Sequence, residues 1–160
     1  MSVSDSERRF IEEVGIVFEQ TGFPRMSGRL FGWLLISDPP YQSPSELADA
    51  LAASKGSIST SVRLLMRIGL IERYVIPRSR HDHFRLQDDA IEKIIRHGLE
   101  EEIIMFRSLA ECGLRLMSEI TGARKKRLKE MRSRYSYLEK SLPGLLEQYE
   151  RQQNREYEPG

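Results

Sequence analysis

The chain has 160 residues, a hydrophobic fraction of 39%, a charged fraction of 31% and a single cysteine. This length fits one domain of roughly 100–200 residues. One cysteine, Cys112, cannot form an intrachain disulfide, which excludes the class of disulfide-stapled secreted domains. No secretory signal is visible at the start, and the longest apolar run, Leu30 to Ile36, is too short for a membrane span of about 20 residues. We therefore expect a cytoplasmic protein that does not associate with membranes.

Capping and periodicity predict three helices in the first third of the chain. Apolar residues at helical spacing predict helices over 4–20 and 25–36. The motif Ser43-Pro44-Ser45-Glu46 predicts the start of a third helix, which runs to about residue 52. The first serine caps this helix, proline fits the first helical position and the glutamate completes a capping box.

The next segment predicts a helix-turn-helix followed by a hairpin. Ser54 predicts the N-cap of a fourth helix over 55–68, and only two or three residues separate it from the third helix. Residues 70–76 are rich in β-branched and aromatic side chains and predict a strand, and 83–86 predict the return strand. The order helix, turn, helix, hairpin predicts a winged helix-turn-helix domain over 1–87, in a mainly α fold with a small β-wing.

Residues 88–150 predict a long C-terminal helical arm, and 151–160 a polar tail. Apolar residues recur by three and four along two long helices, and Pro143 is expected to kink or restart the second. One small domain cannot cover both stripes, so we interpret the arm as a homodimerisation element; a hairpin that packs on itself is the open alternative. The residues expected in the dimer interface are Ile103, Phe106, Met117, Leu128, Met131, Tyr135, Leu138, Leu142 and Leu145.

The net charge of +1 hides a division by segment. Residues 55–85 carry seven basic and two acidic side chains, net +5, and lie between segments 1–54 and 86–123, each with net −4. The predicted winged helix therefore has the local basic surface that nucleic-acid binding needs. Residues 124–160 carry net +4. For the basic run over 124–134, the sequence leaves open a solvated or ion-paired face and direct DNA contact.

The predicted fourth helix separates an apolar face from a small, polar and basic one. Ile58, Val62 and Leu65 mark the buried direction at 100° per residue. Small and hydroxyl side chains opposite them permit close approach to a major groove, where arginine binds guanine through two hydrogen bonds; a solvated face is the alternative. Arginine at the wing tip can enter a minor groove or contact phosphate. The candidate DNA-contacting residues are Lys55, Gly56, Ser57, Ser59, Thr60, Arg63, Arg67, Arg78, Arg80 and His81.

Neither catalysis nor metal binding is predicted. His81-Asp82-His83 places at most two imidazoles on one face of a strand and has no companion ligands nearby. No nucleophile elbow, Walker loop or HExxH motif is present. We therefore expect no metal, no cofactor and no enzymatic activity.

One group of large apolar side chains is interpreted as part of the hydrophobic core, with a ligand pocket as the open alternative: Phe18, Phe23, Met26, Phe31 and Trp33.

Several segments carry a resemblance to a known family: Gly28-Arg29-Leu30-Phe31-Gly32-Trp33-Leu34-Leu35, Ser43-Pro44-Ser45-Glu46-Leu47-Ala48, Ser54-Lys55-Gly56-Ser57-Ile58-Ser59, Leu64-Leu65 and Gly69-Leu70-Ile71-Glu72-Arg73. On these segments the chain resembles, over about residues 8–150, the MarR superfamily of winged-helix regulators and, within it, the GbsR-like branch. The resemblance implies a homodimer joined by the arm, an operator with two-fold symmetry, and often control of a neighbouring transporter or osmolyte gene. It also implies that Lys55–Arg67 is the recognition helix. Where the family tends to show Gly-Asp-Arg in the wing, this chain has Arg78-Ser79-Arg80, so only Arg80 carries over.

The predicted function is that of a sequence-specific regulator of transcription that binds double-stranded DNA as a homodimer and represses. Helix 55–68 is expected in the major groove and the wing over 77–83 on the backbone or minor groove. A small-molecule effector of unknown identity, which shifts the spacing of the two wings, is an open extension. The alternative is a winged-helix protein-interaction adaptor without DNA binding. That alternative predicts apolar residues on the exposed face of the fourth helix, where this chain has Arg63 and Arg67.

Overall fold

The computed structural model describes residues 3–77 and 79–156, and over these residues the chain forms six helices and three short strands. The helices are α1 Asp5–Gln20, α2 Arg25–Ile36, α3 Pro44–Leu51, α4 Lys55–Arg67, α5 Ala90–Leu116 and α6 Gly122–Glu156. The strands are β1 Tyr41–Gln42, β2 Ile71–Tyr74 and β3 His83–Leu86. This mainly helical fold with a small sheet confirms the predicted fold class. In the described part of the chain, no helix combines the length and apolar character needed to cross a membrane.

Serine side chains begin both helices of the helix-turn-helix. Ser43 Oγ accepts the N–H of Glu46 at 3.3 Å, and the Glu46 carboxylate accepts the N–H of Ser43 at 2.7 Å. This reciprocal pair is the predicted capping box. At the start of α4, Ser54 Oγ accepts the N–H of Ser57 at 3.2 Å. Both predicted caps are therefore confirmed, and they fix the first turn of each helix.

A three-residue turn joins α3 to α4. Ala52 has a left-handed backbone, with φ 48° and ψ 47°. The next residue, Ala53, donates its N–H to Ala48 O at 3.0 Å, and Ala52 donates to Asp49 O at 3.3 Å. These two bonds form a Schellman motif, which ends α3 and reverses the chain. The predicted helix-turn-helix is confirmed.

The three strands form one antiparallel sheet in the order β1-β3-β2. The strand predicted over 70–76 is shorter at both ends, since β2 covers only four residues. Leu70 is excluded at one end because its N–H closes the last turn of α4 on Leu65 O at 2.9 Å. β1 was not predicted, because two residues carry no recognisable period; it forms through pairing with β3.

A first compact unit ends at Ile95. Its hydrophobic core contains side chains from all four helices α1, α2, α3 and α4 and from the sheet. Its largest fully buried side chains include Leu30, Leu47, Ile58 and Leu65. The large apolar side chains for which the sequence left a ligand pocket as the alternative belong to this core. Phe18, Phe31 and Trp33 are buried, and Phe23 and Met26 pack against the core.

A second compact unit begins at residue 96 and contains the rest of α5 and all of the described α6. Phe106 of α5 stacks on Tyr135 of α6, with ring centroids 5.2 Å apart. A Cβ atom at Gly113 would lie 3.2 Å from Leu128, so the two helices approach closely there. The arm therefore packs as a helical hairpin within one chain.

The hairpin uses part of the predicted dimer stripe and leaves part exposed. Helix α6 continues through Pro143 without a restart, and also through the first six residues of the predicted polar tail; residues 157–160 lie outside the described residues. In the predicted stripe, Ile103 and Leu142 are buried. The half-buried members are Phe106, Leu128, Met131 and Tyr135, and the exposed members are Met117, Leu138 and Leu145.

Candidate nucleic-acid interface

Helix α4 presents the predicted recognition face to solvent. On its inner side Ile58, Val62 and Leu65 are buried, together with Ser61, which the helical pattern did not identify. Among the large apolar residues of α4, one, Met66, is exposed, to 36%. Ser57, whose N–H donates to the Ser54 cap, is half-buried. The exposed candidate residues of α4 are Lys55, Gly56, Ser59, Thr60, Arg63 and Arg67.

Ser79 organises the tip of the wing between β2 and β3. Its N–H donates to Ile76 O at 3.1 Å, and its hydroxyl oxygen accepts the N–H of His81 at 3.2 Å. The turn leaves both Arg80 and His81 exposed. Arg78, also predicted to contact DNA, lies outside the described residues. Sequence reasoning missed this role of Ser79, although serine favours such turns through its side-chain hydrogen bonds.

Arg85 of the hairpin is held by neighbouring side chains. Its Nη2 lies 2.6 Å from Glu72 Oε1, and its Nε donates to the same oxygen at 2.7 Å. The hydrogen bond to Glu72 raises the pKa of the Arg85 guanidinium, which also lies 4.9 Å from the centre of the Tyr74 ring. The cross-strand pairing of residues 72 and 85 in β2 and β3 sets this contact.

A second arginine of the hairpin is paired as well. Arg73 Nη1 lies 3.6 Å from Asp82 Oδ2, so the two acidic side chains of segment 55–85 are both paired with arginines of the hairpin. In the part of the chain that the structure describes, no carboxylate lies within ion-pair distance of Lys55, Arg63, Arg67 or Arg80. The basic surface predicted from charge counting is therefore concentrated, among described residues, on the outer face of α4 and the wing tip.

The two wing histidines have different surroundings. His83 is 9% exposed; its Nδ1 lies 3.0 Å from His81 O, and its ring meets Tyr41 edge-on at 5.8 Å. His83 therefore packs the hairpin, while His81 faces solvent. Across residues 3–77 and 79–156, no three His, Cys, Asp or Glu side chains are grouped so as to hold a metal ion.

Comparisons with known proteins show the family of the chain. The sequence model of one protein family, described as MmpR5-like MarR family transcriptional regulators, matches residues 89–153 of this chain. The HTH-type transcriptional regulator MmpR5 of Mycobacterium tuberculosis (strain ATCC 25618 / H37Rv) is 40% identical over 140 residues, which cover 88% of this chain and 84% of that protein. A crystal structure of a transcriptional regulator is similar with a TM-score of 0.70 and 38% identity, over 91% of this chain and 99% of that one.

These similarities confirm the predicted membership of the MarR superfamily, while the GbsR-like branch stays a prediction. The relatives are regulators of transcription, which is the predicted class of function. The chain belongs to the MarR family of winged-helix, DNA-binding transcriptional regulators and is similar to its MmpR5-like members.

Proposed function

We propose that this regulator acts in the cytoplasm as a homodimeric repressor. Each protomer places α4 in the major groove of an operator half-site and its wing tip on the backbone or minor groove. The observation that carries this proposal is the division of charge in the winged helix. Arg73 and Arg85 are each paired with a carboxylate, whereas the described cations of the outer α4 face and wing tip have no acidic partner and are available to phosphates and base edges.

The shape of α4 supports close approach to a groove. Gly56, Ser59 and Thr60 are exposed and small, so they let the helix backbone come near base edges. Arg63 and Arg67 follow about one and two turns further along, where their longer side chains can reach guanine or phosphate. The adaptor alternative expects an apolar outer face, but Met66 is the one large apolar residue of α4 that is exposed, and the outer face carries Arg63 and Arg67.

A groove on the α5–α6 hairpin supports the homodimer. It has a volume of about 700 Å³ and lies wholly within the second unit. We propose a second copy of the chain as its occupant, because a two-fold operator requires two identical reading helices. The side chains lining the groove include five predicted interface residues, and also Leu99; the five are Ile103, Tyr135, Leu138, Leu142 and Leu145.

Two further features stay predictions that rest on the family resemblance. One is a small-molecule effector that shifts the spacing of the two wings; the other is placement in the GbsR-like branch.

The basic run over 124–134 is mainly exposed, and Lys126 lies 3.9 Å from Glu130 within it. We propose that this run remains a solvated, partly ion-paired face.

The double variant Arg63→Ala/Arg80→Ala tests the proposed contacts. We expect wild-type protein to bind a duplex from its own upstream region with an affinity that falls steeply with salt. The double variant should bind at least about tenfold more weakly, with a salt slope reduced by roughly one or two. Arg73→Ala, which removes an arginine already paired with Asp82, is the matched control and should change the slope little.

The outcomes separate the two functions. Unchanged binding in the double variant would contradict the assigned contacts. Failure of the wild-type protein to bind DNA at low salt, together with recovery of a protein partner, would favour the adaptor function instead.

A further inference from the structure

Arg29, a residue of α2 outside the helix-turn-helix, contacts the end of α3. We propose that Arg29 is a positioning residue for DNA recognition. Its guanidinium joins Glu12 of α1 to the carbonyl of Leu51, and thereby sets the orientation in which α4 is presented. The inference rests on the function proposed above, in which α4 contacts DNA.

Two nitrogen atoms of Arg29 contact two different helices. Nη2 donates to Leu51 O at 2.8 Å. Nε lies 2.7 Å from Glu12 Oε1, an ion pair in which the N–H is not aligned with the oxygen. The Arg29 side chain is 21% exposed, so these contacts are partly shielded from water, which strengthens their electrostatic part. One side chain therefore links α1 to the end of α3.

The carbonyl that Arg29 binds is one that the turn leaves available. The last carbonyls of a helix have no partner within the helix. In α3 the Schellman motif uses the carbonyls of Ala48 and Asp49, and Leu51 O accepts from the arginine. Leu51 is 1% exposed, so its side chain is held in the core while its carbonyl is bound by Arg29. Three residues later, Ser54 caps α4.

The packing of α1 reserves space for this side chain. A Cβ atom at Gly15 would lie 2.8 Å from Arg29 Cγ, closer than real Cβ contacts come. The planar guanidinium offers donors in several directions, whereas a lysine ammonium is a point charge on a flexible stem. Charge alone therefore does not reproduce the link between Glu12 and Leu51 O.

A neighbouring arginine provides a matched control. Arg25 Nη2 lies 3.0 Å from Glu12 Oε2, so it shares the carboxylate that Arg29 contacts. Among the described residues, the hydrogen bonds and ion pairs of the Arg25 side chain are to Glu12 and Glu19 of α1 and include none with α3. Loss of Arg25 removes a cation from Glu12 but leaves the α3 carbonyl bound.

The experiment compares Arg29→Gln, Arg29→Lys and Arg25→Gln with the wild type by DNA affinity at several salt concentrations and by amide hydrogen exchange. We expect both Arg29 variants to bind an upstream duplex about tenfold more weakly with an unchanged salt slope, because no phosphate contact is lost. Amides 52–57 should exchange faster, while those of β2 should not. Arg25→Gln should bind within about twofold of the wild type. Arg29→Lys keeps the charge and decides the result if Arg29→Gln does not fold.

Three results would overturn the inference: full affinity in both Arg29 variants, an equal loss in Arg25→Gln, or a salt slope lowered by about one, which would mean that Arg29 contacts phosphate itself. Absence of DNA binding by the wild type would instead refute the proposed function. In that case, amide hydrogen exchange would test the contact of Arg29 with Leu51 O separately from DNA binding. Unchanged exchange rates at residues 52–57 in the Arg29 variants would show that Arg29 does not hold the turn.

Discussion

Individual arginines in the winged helix have different roles that a charge count does not separate. Arg85 lies between Glu72 and the Tyr74 ring, and it stabilises the hairpin. Arg63 has the same formal charge but projects from an exposed position on α4. The contribution of a cation to DNA binding depends on whether it must first leave a carboxylate, because breaking that pair offsets the gain from phosphate.

Ala52 carries backbone strain at the helix-turn-helix turn. It is the one non-glycine residue with positive φ in the described chain. An L-residue in this conformation costs about 1–2 kcal/mol. Glycine avoids that cost, but its greater backbone freedom stabilises the unfolded state by about 0.4–1 kcal/mol. We therefore expect Ala52→Gly to raise the free energy of unfolding by about 0.5 kcal/mol, as measured by urea denaturation.

Ala52→Val tests the same strain in the opposite direction. A β-branched side chain fits the left-handed region worse than alanine, so the variant should lose at least about 1 kcal/mol. Equal stability of the valine and glycine variants would show that the turn does not hold this conformation in solution.

At the scale of elements, the pairing of α1 with α2 depends on glycines. A Cβ atom at Gly28 would lie 2.6 Å from Phe18 Cβ and 2.8 Å from Val14 O. Since one of these atoms is backbone, α1 as a whole has to move. We expect Gly28→Ala to lower the free energy of unfolding by about 2 kcal/mol or more, measured by thermal or urea unfolding.

Gly98 of α5 is the matched control, because a Cβ atom there would meet nothing within 4 Å. Alanine favours the helix interior over glycine by about 1 kcal/mol, so Gly98→Ala should stabilise the protein. A similar loss in both variants would contradict the packing explanation.

The capping box of α3 predicts a pH dependence. The hydrogen bond from the Ser43 N–H holds the pKa of the Glu46 carboxyl below its ordinary value of 4.5. Because the folded pKa is the lower one, the stabilisation is complete above about pH 4.5 and is lost as pH falls through the folded pKa. The difference in melting temperature between the wild type and Glu46→Gln should therefore be largest near neutral pH and shrink in acid. A difference that stays constant with pH would contradict this role.

Local signals predicted most of the elements, and contacts distant in sequence account for the rest. The caps at Ser43 and Ser54 and the bounds of α2 follow from neighbouring residues, and the outer face of α4 follows from its period. β1 depends on pairing with β3, more than 40 residues later in the chain. The contacts of Arg29 with Leu51 O and of Lys93 with Gly69 O join residues 22 and 24 apart, so only the folded structure reveals them.

At the scale of the whole molecule, the arm has more apolar surface than its own hairpin covers. Phe106 and Tyr135 face each other within one chain, whereas Leu138 and Leu145 are 46% and 63% exposed. The dimer stripe expected from the sequence therefore divides into residues that form the hairpin and residues available to a second copy. An exposed groove residue is the sharper test of the dimer, because its replacement leaves the hairpin contacts in place.

Leu145→Glu should convert a dimer into a folded monomer, because it places a carboxylate in the apolar groove where the partner is proposed to pack. Light scattering should report the monomer mass, with an unchanged circular dichroism spectrum. A monomer gains nothing from a second half-site, so its affinity for a two-fold duplex should fall by at least about 100-fold. Ser133→Glu adds the same charge at an exposed position of α6 that does not line the groove, and should remain dimeric. A Leu145→Glu dimer that binds at full affinity would place the interface elsewhere on the chain.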